Sequence, residues 1–225
     1  MQLTFLWIAL ILAFIDWSAV YAGWKQVEYL AKPGVMVALF LWIWSFSGFE
    51  GRLVWVGLAV LCSLAGDVFL MLPKERFIAG LISFLIAHLA YILALNDGPP
   101  PLTAASLVIL LLAGSTSLQI FRRVLSGLES SGKTRLKTPV MVYMGVILVM
   151  LLSALGTLIR DEWDPFAALL VSAGAMLFFI SDTLLAWDRF VEPLSHARLR
   201  VIIPYHLGQI GLVAGAVLQA LVSSQ

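Results

Sequence analysis

A chain of 225 residues is long enough for one or two water-soluble domains, but 61% of it is apolar and only 12% is charged, with a mean hydropathy of +0.99. Soluble domains carry about 25% charged residues, so the polar material cannot cover a globule of this size and the surface must face lipid. A net charge of +1 gives no basic face for nucleic acid, and one cysteine, Cys62, excludes an internal disulfide or a multi-cysteine metal site.

A bilayer is crossed by about twenty consecutive apolar residues. On that measure eight spans are predicted: Leu3–Ala22, Val35–Phe49, Leu53–Leu72, Phe77–Leu95, Leu102–Phe121, Pro139–Ile159, Pro165–Trp187 and Val201–Val222. The second is short and extends back toward Tyr29. Turn-forming stretches separate the spans: Lys32-Pro33, Pro73-Lys74-Glu75-Arg76, Asn96 to Pro101, Trp163-Asp164-Pro165 and Glu192-Pro193. The longest predicted loop, Arg122–Thr138, leaves no room for a soluble domain, so residues 1–225 read as a single all-α, eight-helix transmembrane domain. The first span follows Met1-Gln2-Leu3-Thr4, which lacks the basic residue of a signal peptide, and is read as a retained helix.

Basic residues mark the cytoplasmic side of a membrane protein. Lys25, Lys32, Lys74, Arg76, Arg122, Arg123, Lys133, Arg135, Lys137, Arg189, Arg198 and Arg200 fall on one side of the eight-span topology, and only Arg52 and Arg160 on the other. The expectation is a multi-pass protein, of a bacterial inner membrane, with both termini outside.

Ionisable groups inside a span are costly and usually functional. Asp67 lies in the third span, His88 in the fourth, Asp182 in the seventh and His206 in the eighth, with Asp16 toward the end of the first and Lys32 at the start of the second. At 1.5 Å per residue, Asp67 lies six residues before Pro73, Asp182 six before Asp188, Tyr143 six after Lys137 and His206 six after Arg200, about 9 Å in each case. His88 falls near the midplane and shares a face with Tyr91, as Tyr205 does with Gln209. The pattern predicts a polar chamber in the cytoplasmic half of the bilayer. Asp16, at a helix end, reads as structural. His88 also suits a helix–helix hydrogen bonder, and Lys32 an interfacial anchor, as do Trp24, Trp163 and Trp187.

Lys32-Pro33-Gly34-Val35-Met36-Val37 matches Lys137-Thr138-Pro139-Val140-Met141-Val142 at four of six positions, and the aspartates and histidines recur in the third and fourth helices of each half. One reading is a 4+4 parallel repeat about an axis along the membrane normal, which would bring Asp67 and Asp182 face to face.

A carboxylate in a low-dielectric medium tends to hold a proton, and of two close together one stays an acid while the other carries the charge. Such a pair can protonate an electron-rich carbon or oxygen and then stabilise an oxocarbenium-like cation, as cleavage of a vinyl ether, acetal or glycoside requires. The setting selects a lipid substrate, and Lys32 can meet a phosphate as a point charge. His88, His206, Asp67 and Asp182 are donor types that zinc accepts, but no H-E-x-x-H spacing exists and the histidines differ in depth by about 7 Å. No metal is expected.

These residues sit in motifs that resemble those of the YhhN family, also called the TMEM86 or lysoplasmalogenase family. They are Lys32-Pro33; Gly66-Asp67-Val68-Phe69-Leu70-Met71; Phe77-Ile78-Ala79-Gly80-Leu81; Phe84-Leu85-Ile86-Ala87-His88-Leu89-Ala90-Tyr91; Pro139 to Tyr143; Phe178 to Ala186 with Arg189-Phe190; and Tyr205-His206-Leu207-Gly208-Gln209. His206 departs from an aromatic expected there. The resemblance implies hydrolysis of the vinyl ether bond of lysoplasmalogen, a lysophospholipid, to a fatty aldehyde and glycerophospho-ethanolamine or -choline, without a cofactor. Asp67 and Asp182 would be catalytic, with Lys32, His88, Tyr91, Tyr143, Tyr205, His206 and Gln209 binding or supporting. The alternative is a lipid or small-molecule transporter with the aspartates as a proton-coupled site. No span has a central Gly/Pro break, since Pro204 lies near the start of its span, which counts against a transporter. The sequence carries no signal for an oligomer.

Overall fold

A computed structural model describes residues 3–47, 50–72, 76–96, 98 and 103–223. Eight α-helices run in chain order: α1 (Thr4–Ala22), α2 (Lys25–Ser47), α3 (Arg52–Met71), α4 (Phe77–Leu95), α5 (Ala104–Ser130), α6 (Lys137–Gly156), α7 (Pro165–Phe190) and α8 (Ala197–Ser223). Each is long and apolar enough to cross a bilayer, and no strand occurs among the described residues. The chain is an integral multi-pass membrane protein. Phe49, Leu102, Pro73 to Glu75, Asp97 and Pro99 to Pro101, named above as span ends or turns, lie outside the described residues.

Several helix ends differ from the apolar count. The second helix begins at Lys25 rather than Val35, so Lys32 and Pro33 lie inside it. Gly23 ends α1 in the left-handed conformation at φ 75°, its N–H bonded to the Ala19 carbonyl, and α2 starts two residues later. Pro33 removes one backbone donor, a loss that membrane helices tolerate where neighbouring helices cover the gap. Pro204 is therefore not the one proline inside a span. The predicted loop Arg122–Thr138 is mostly helix: α5 continues through Ser130 and a 3₁₀ turn at Thr134–Leu136 leads into α6. Likewise α7 runs on to Phe190 and α8 starts at Ala197. Hydropathy counts the thickness of lipid, whereas polar residues with good helix propensity carry the helix on into the interface.

Local chemistry fixes the other ends. Asp164 caps α7 by accepting from the Phe166 and Ala167 amides, with Pro165 in the first turn where it loses no bond. Thr103 and Ser106 form a reciprocal capping box at the start of α5. Trp163, expected at the interface, is buried, with the Arg52 guanidinium 4.7 Å from its ring.

α3 packs most closely on α4 and α7 on α8, while α4 meets α6 and α8 meets α2. The α7–α8 seam is backbone against backbone: a Cβ on Gly174 would lie 2.5 Å from the Leu212 nitrogen, and one on Gly208 would lie 2.9 Å from the Gly174 carbonyl oxygen. Without a hydrophobic drive between helices in lipid, such small-residue contact supplies the packing. α5 stands at the edge. Its buried residues are Ser117, Val124 and Leu128, all in the half toward the lysine- and arginine-rich end of the bundle, called the basic end below.

Candidate active site

The two aspartates sit in equivalent settings built from both halves. Asp67, on α3, is 1% exposed and paired with the Lys32 ammonium of α2 at 3.0 Å. Its other oxygen accepts the Tyr205 hydroxyl of α8 at 2.6 Å. Asp182, on α7, accepts the Tyr143 hydroxyl of α6, and the His88 Nε2 of α4 lies 3.4 Å from the same oxygen. His88 Nε2 is also 3.0 Å from the Tyr143 oxygen. Each carboxylate thus receives one partner from the second helix of its own half and one from the fourth helix of the other half. Asp67 has a cation, whereas the partners of Asp182 are a phenol and an imidazole.

Two phenylalanines stand between the partners of the two aspartates. The Phe178 ring lies 5.4 Å from the Tyr205 ring and 4.7 Å from the His88 ring, and Phe84 stands edge-on to Phe178 and Tyr205. These two phenylalanines form an aromatic septum. Gly66 makes room for it, since a Cβ there would lie 2.6 Å from the Phe84 ring. Both phenylalanines occur in the motifs quoted above, beside His88 and Asp182, which was the available signal.

One turn further from the basic end, Tyr91 donates to Gln209 Oε1 at 2.5 Å and Gln209 donates to Ser63 at 2.9 Å. This buried network ties α4, α8 and α3 together behind the septum. His206 is not brought to either aspartate. Its Nδ1 accepts from the Trp17 indole at 3.2 Å, which directs it toward α1. His88 was placed deeper than the aspartates by residue count, yet it touches Asp182: an imidazole and a carboxylate reach across an axial offset that helix rise alone measures. Asp16 is fully buried, and neither of its oxygens has a hydrogen-bond partner among the described residues. Lys32, Glu28, Asp67 and Arg198 lie within electrostatic reach of it.

Two cavities open beside these groups. An apolar cleft between α4, α5, α6 and α7 is walled by Phe84, Ile120, Phe121 and Ile147 and is also lined by Tyr143 and Asp182. Asp182 is 13% exposed into it. At the basic end of this cleft the Arg189 guanidinium lies 4.0 Å from the Phe77 ring. A second cavity lies between α2, α7 and α8 and is lined by Lys25, Glu28, Lys32, Asp188 and Arg198. Glu28 is ion-paired with Arg198.

The sequence profile of the YhhN family matches residues 27–216. The chain belongs to the YhhN family. The match begins inside α2, so Asp16 and Trp17 precede it. Among relatives of this family, Lysoplasmalogenase TMEM86B of Homo sapiens is 33% identical over 194 residues, 86% of this chain and 76% of its own. The Mus musculus protein of that name is 33% identical over 206 residues, 91% and 81% of the two chains. A Mycobacterium tuberculosis protein named Lysoplasmalogenase is 31% identical over 170 residues, 72% and 59% of the two chains. No solved structure matches the chain.

Proposed function

We propose that this protein is a membrane-embedded hydrolase of the lysoplasmalogenase kind. It adds water across the vinyl ether of a single-chain lysophospholipid and releases a fatty aldehyde and the glycerophospho head. The observation that supports this most directly is Asp182, held by Tyr143 and His88 on the lining of an apolar cleft, in a family whose relatives carry that name. The basic end is placed in the cytoplasm, with both termini outside.

The two settings suggest a division of labour. Asp67, paired with Lys32, serves as the carboxylate. Asp182, with a phenol and an imidazole as partners, serves as the acid. In its protonated form Asp182 donates to the Tyr143 oxygen, and Tyr143 donates to His88 Nε2. When Asp182 gives its proton to the β-carbon of the vinyl ether, the C=C electron pair forms the new C–H bond and positive charge develops on the α-carbon and ether oxygen. The Asp67 carboxylate stabilises that cation through the field of the site. Water then adds to the α-carbon and loses a proton to Asp182 through the Tyr143 hydroxyl, giving a hemiacetal. Its C–O bond breaks to leave aldehyde and glycerol hydroxyl. No redox step or cofactor enters.

The test is aldehyde release from lysoplasmalogen by purified protein. Asp182→Asn is expected to lower kcat by at least about 10²-fold, the lower range of general acid catalysis, while the protein stays folded. Near wild-type release from both Asp182→Asn and Asp67→Asn would end the two-carboxylate mechanism. Equal activity on the acyl lysophospholipid would instead point to an esterase.

A further inference from the structure

The apolar cleft and the charged cavity share two wall residues, Leu70 and Leu185. Leu70 follows Asp67 by three residues on α3, and Leu185 follows Asp182 by three on α7. Residues three apart share a helix face with an axial rise of about 4.5 Å. Both leucines therefore stand one turn toward the basic end from a carboxylate, on the carboxylate's own face. Leu70 is fixed against α4, where Gly80 leaves it space: a Cβ on Gly80 would lie 2.8 Å from a Leu70 methyl.

The two cavities are also chemically unlike. The cleft wall carries phenylalanine, leucine and isoleucine, whereas the other cavity carries three cations, Lys25, Lys32 and Arg198, and two acids, Glu28 and Asp188. Lys32 is paired with Asp67 and Arg198 with Glu28, and these two ion pairs together with Lys25 are groups that a phosphodiester can meet. We infer that the two cavities form one bipartite site for a single-chain amphiphile with a phosphate-bearing head, and that Leu70 and Leu185 form the sill that sets where along it the carboxylates act. A single-chain amphiphile has one bond region where chain becomes head. With the chain in the cleft and the phosphate among the basic residues, that region lies over the sill, one turn from Asp67 and Asp182. In an ether lysophospholipid this region is the ether linkage. The inference rests on the hydrolase reading for what the carboxylates do there, but not for what binds.

Equilibrium binding to the purified full-length protein tests it with ligands that cannot turn over: a radiolabelled saturated 1-alkyl-glycerophosphoethanolamine and the 1-alkylglycerol of the same chain. The Lys25→Met, Arg198→Gln double variant is expected to weaken the phosphate lipid about tenfold, the scale of a lost rim charge pair, and to leave the alkylglycerol unchanged. Leu185→Trp, or Leu70→Trp where the first does not fold, is expected to weaken both about tenfold by filling the passage between the cavities. On the wild-type protein, glycerophosphoethanolamine alone and inorganic phosphate should compete far less well than the whole lipid. Three results overturn the inference: equal weakening of both lipids by the basic-residue variant, undiminished binding in a folded tryptophan variant, or competition by head group or phosphate alone as strong as by the lipid. The wild-type competition decides even if neither tryptophan variant folds. Because no readout uses turnover, absence of aldehyde release would refute the hydrolase reading and leave this binding result standing.

Discussion

Lys32→Met removes the cation from Asp67 while keeping an apolar stem of similar length. The pair is close at 3.0 Å, with side-chain exposures of 14% for Lys32 and 1% for Asp67. Removing one partner of a buried ion pair costs about 3–5 kcal/mol, because the remaining charge is left uncompensated. The Tyr205 hydroxyl remains on Asp67 at 2.6 Å, and Lys32 keeps some contact with water. The lower end, about 3 kcal/mol, is therefore expected. At about 1.4 kcal/mol per factor of ten, that is roughly a hundredfold in the folded-to-unfolded ratio. Unfolding in mixed micelles, followed by tryptophan fluorescence, measures it. The decisive comparison is the double variant. Lys32→Met with Asp67→Asn leaves neither member of the pair charged and should recover most of the loss, a coupling that a double-mutant cycle isolates. Loss by Lys32→Met of less than about 0.5 kcal/mol, or simple additivity with Asp67→Asn, would refute the claim that the ion pair holds Asp67 in the bundle.

Tyr143→Phe removes the hydroxyl that donates to Asp182 and should lower the rate of aldehyde release by about 10²-fold with little change in KM. Gly174→Ala places a Cβ 2.5 Å from the Leu212 backbone nitrogen, so the α7–α8 seam must open; a loss of about 1–3 kcal/mol is expected in the same unfolding assay. Tyr91→Phe removes the hydroxyl that donates to Gln209 at 2.5 Å and should cost about 1 kcal/mol, within the range for interhelical hydrogen bonds. Asp16→Leu replaces a buried carboxylate that lacks a hydrogen-bond partner among the described residues and should raise the melting temperature, since an unsatisfied buried acceptor costs about 1–3 kcal/mol. A fall in melting temperature would show that Asp16 is held by an interaction that Leu cannot make.

The spans were legible because lipid imposes one rule on the whole chain: an apolar run about the thickness of the bilayer. Asp67, Asp182, Lys32 and Tyr143 were legible for the same reason, since a polar side chain in such a run stands out. Helix ends were not. Pro33 reads as a boundary in water, yet α2 runs through it, and the polar tail of α5 has no apolar period to reveal that it is helical. His206 and Tyr205 are adjacent in sequence and looked equally placed, but adjacent residues on a helix point about 100° apart. One meets Asp67 and the other Trp17. Phe84 and Phe178 were hidden by abundance, because nothing in one sequence separates a phenylalanine that divides two polar centres from one that faces lipid. Asp16 read as a helix-end residue, and only the packing of α1 against its neighbours buries it.

The crossed ownership of the two carboxylates has a consequence for biosynthesis. As the chain emerges, Asp67 enters the membrane with Lys32 already available, but its phenol arrives only with the last helix. His88 waits in the fourth helix for an aspartate three helices away. Neither half can finish its own centre: Asp182 has both partners once α7 is in place, whereas a chain truncated before α8 leaves Asp67 without its phenol. The two centres are therefore completed in order, and the last helix to pack finishes the one that was begun first.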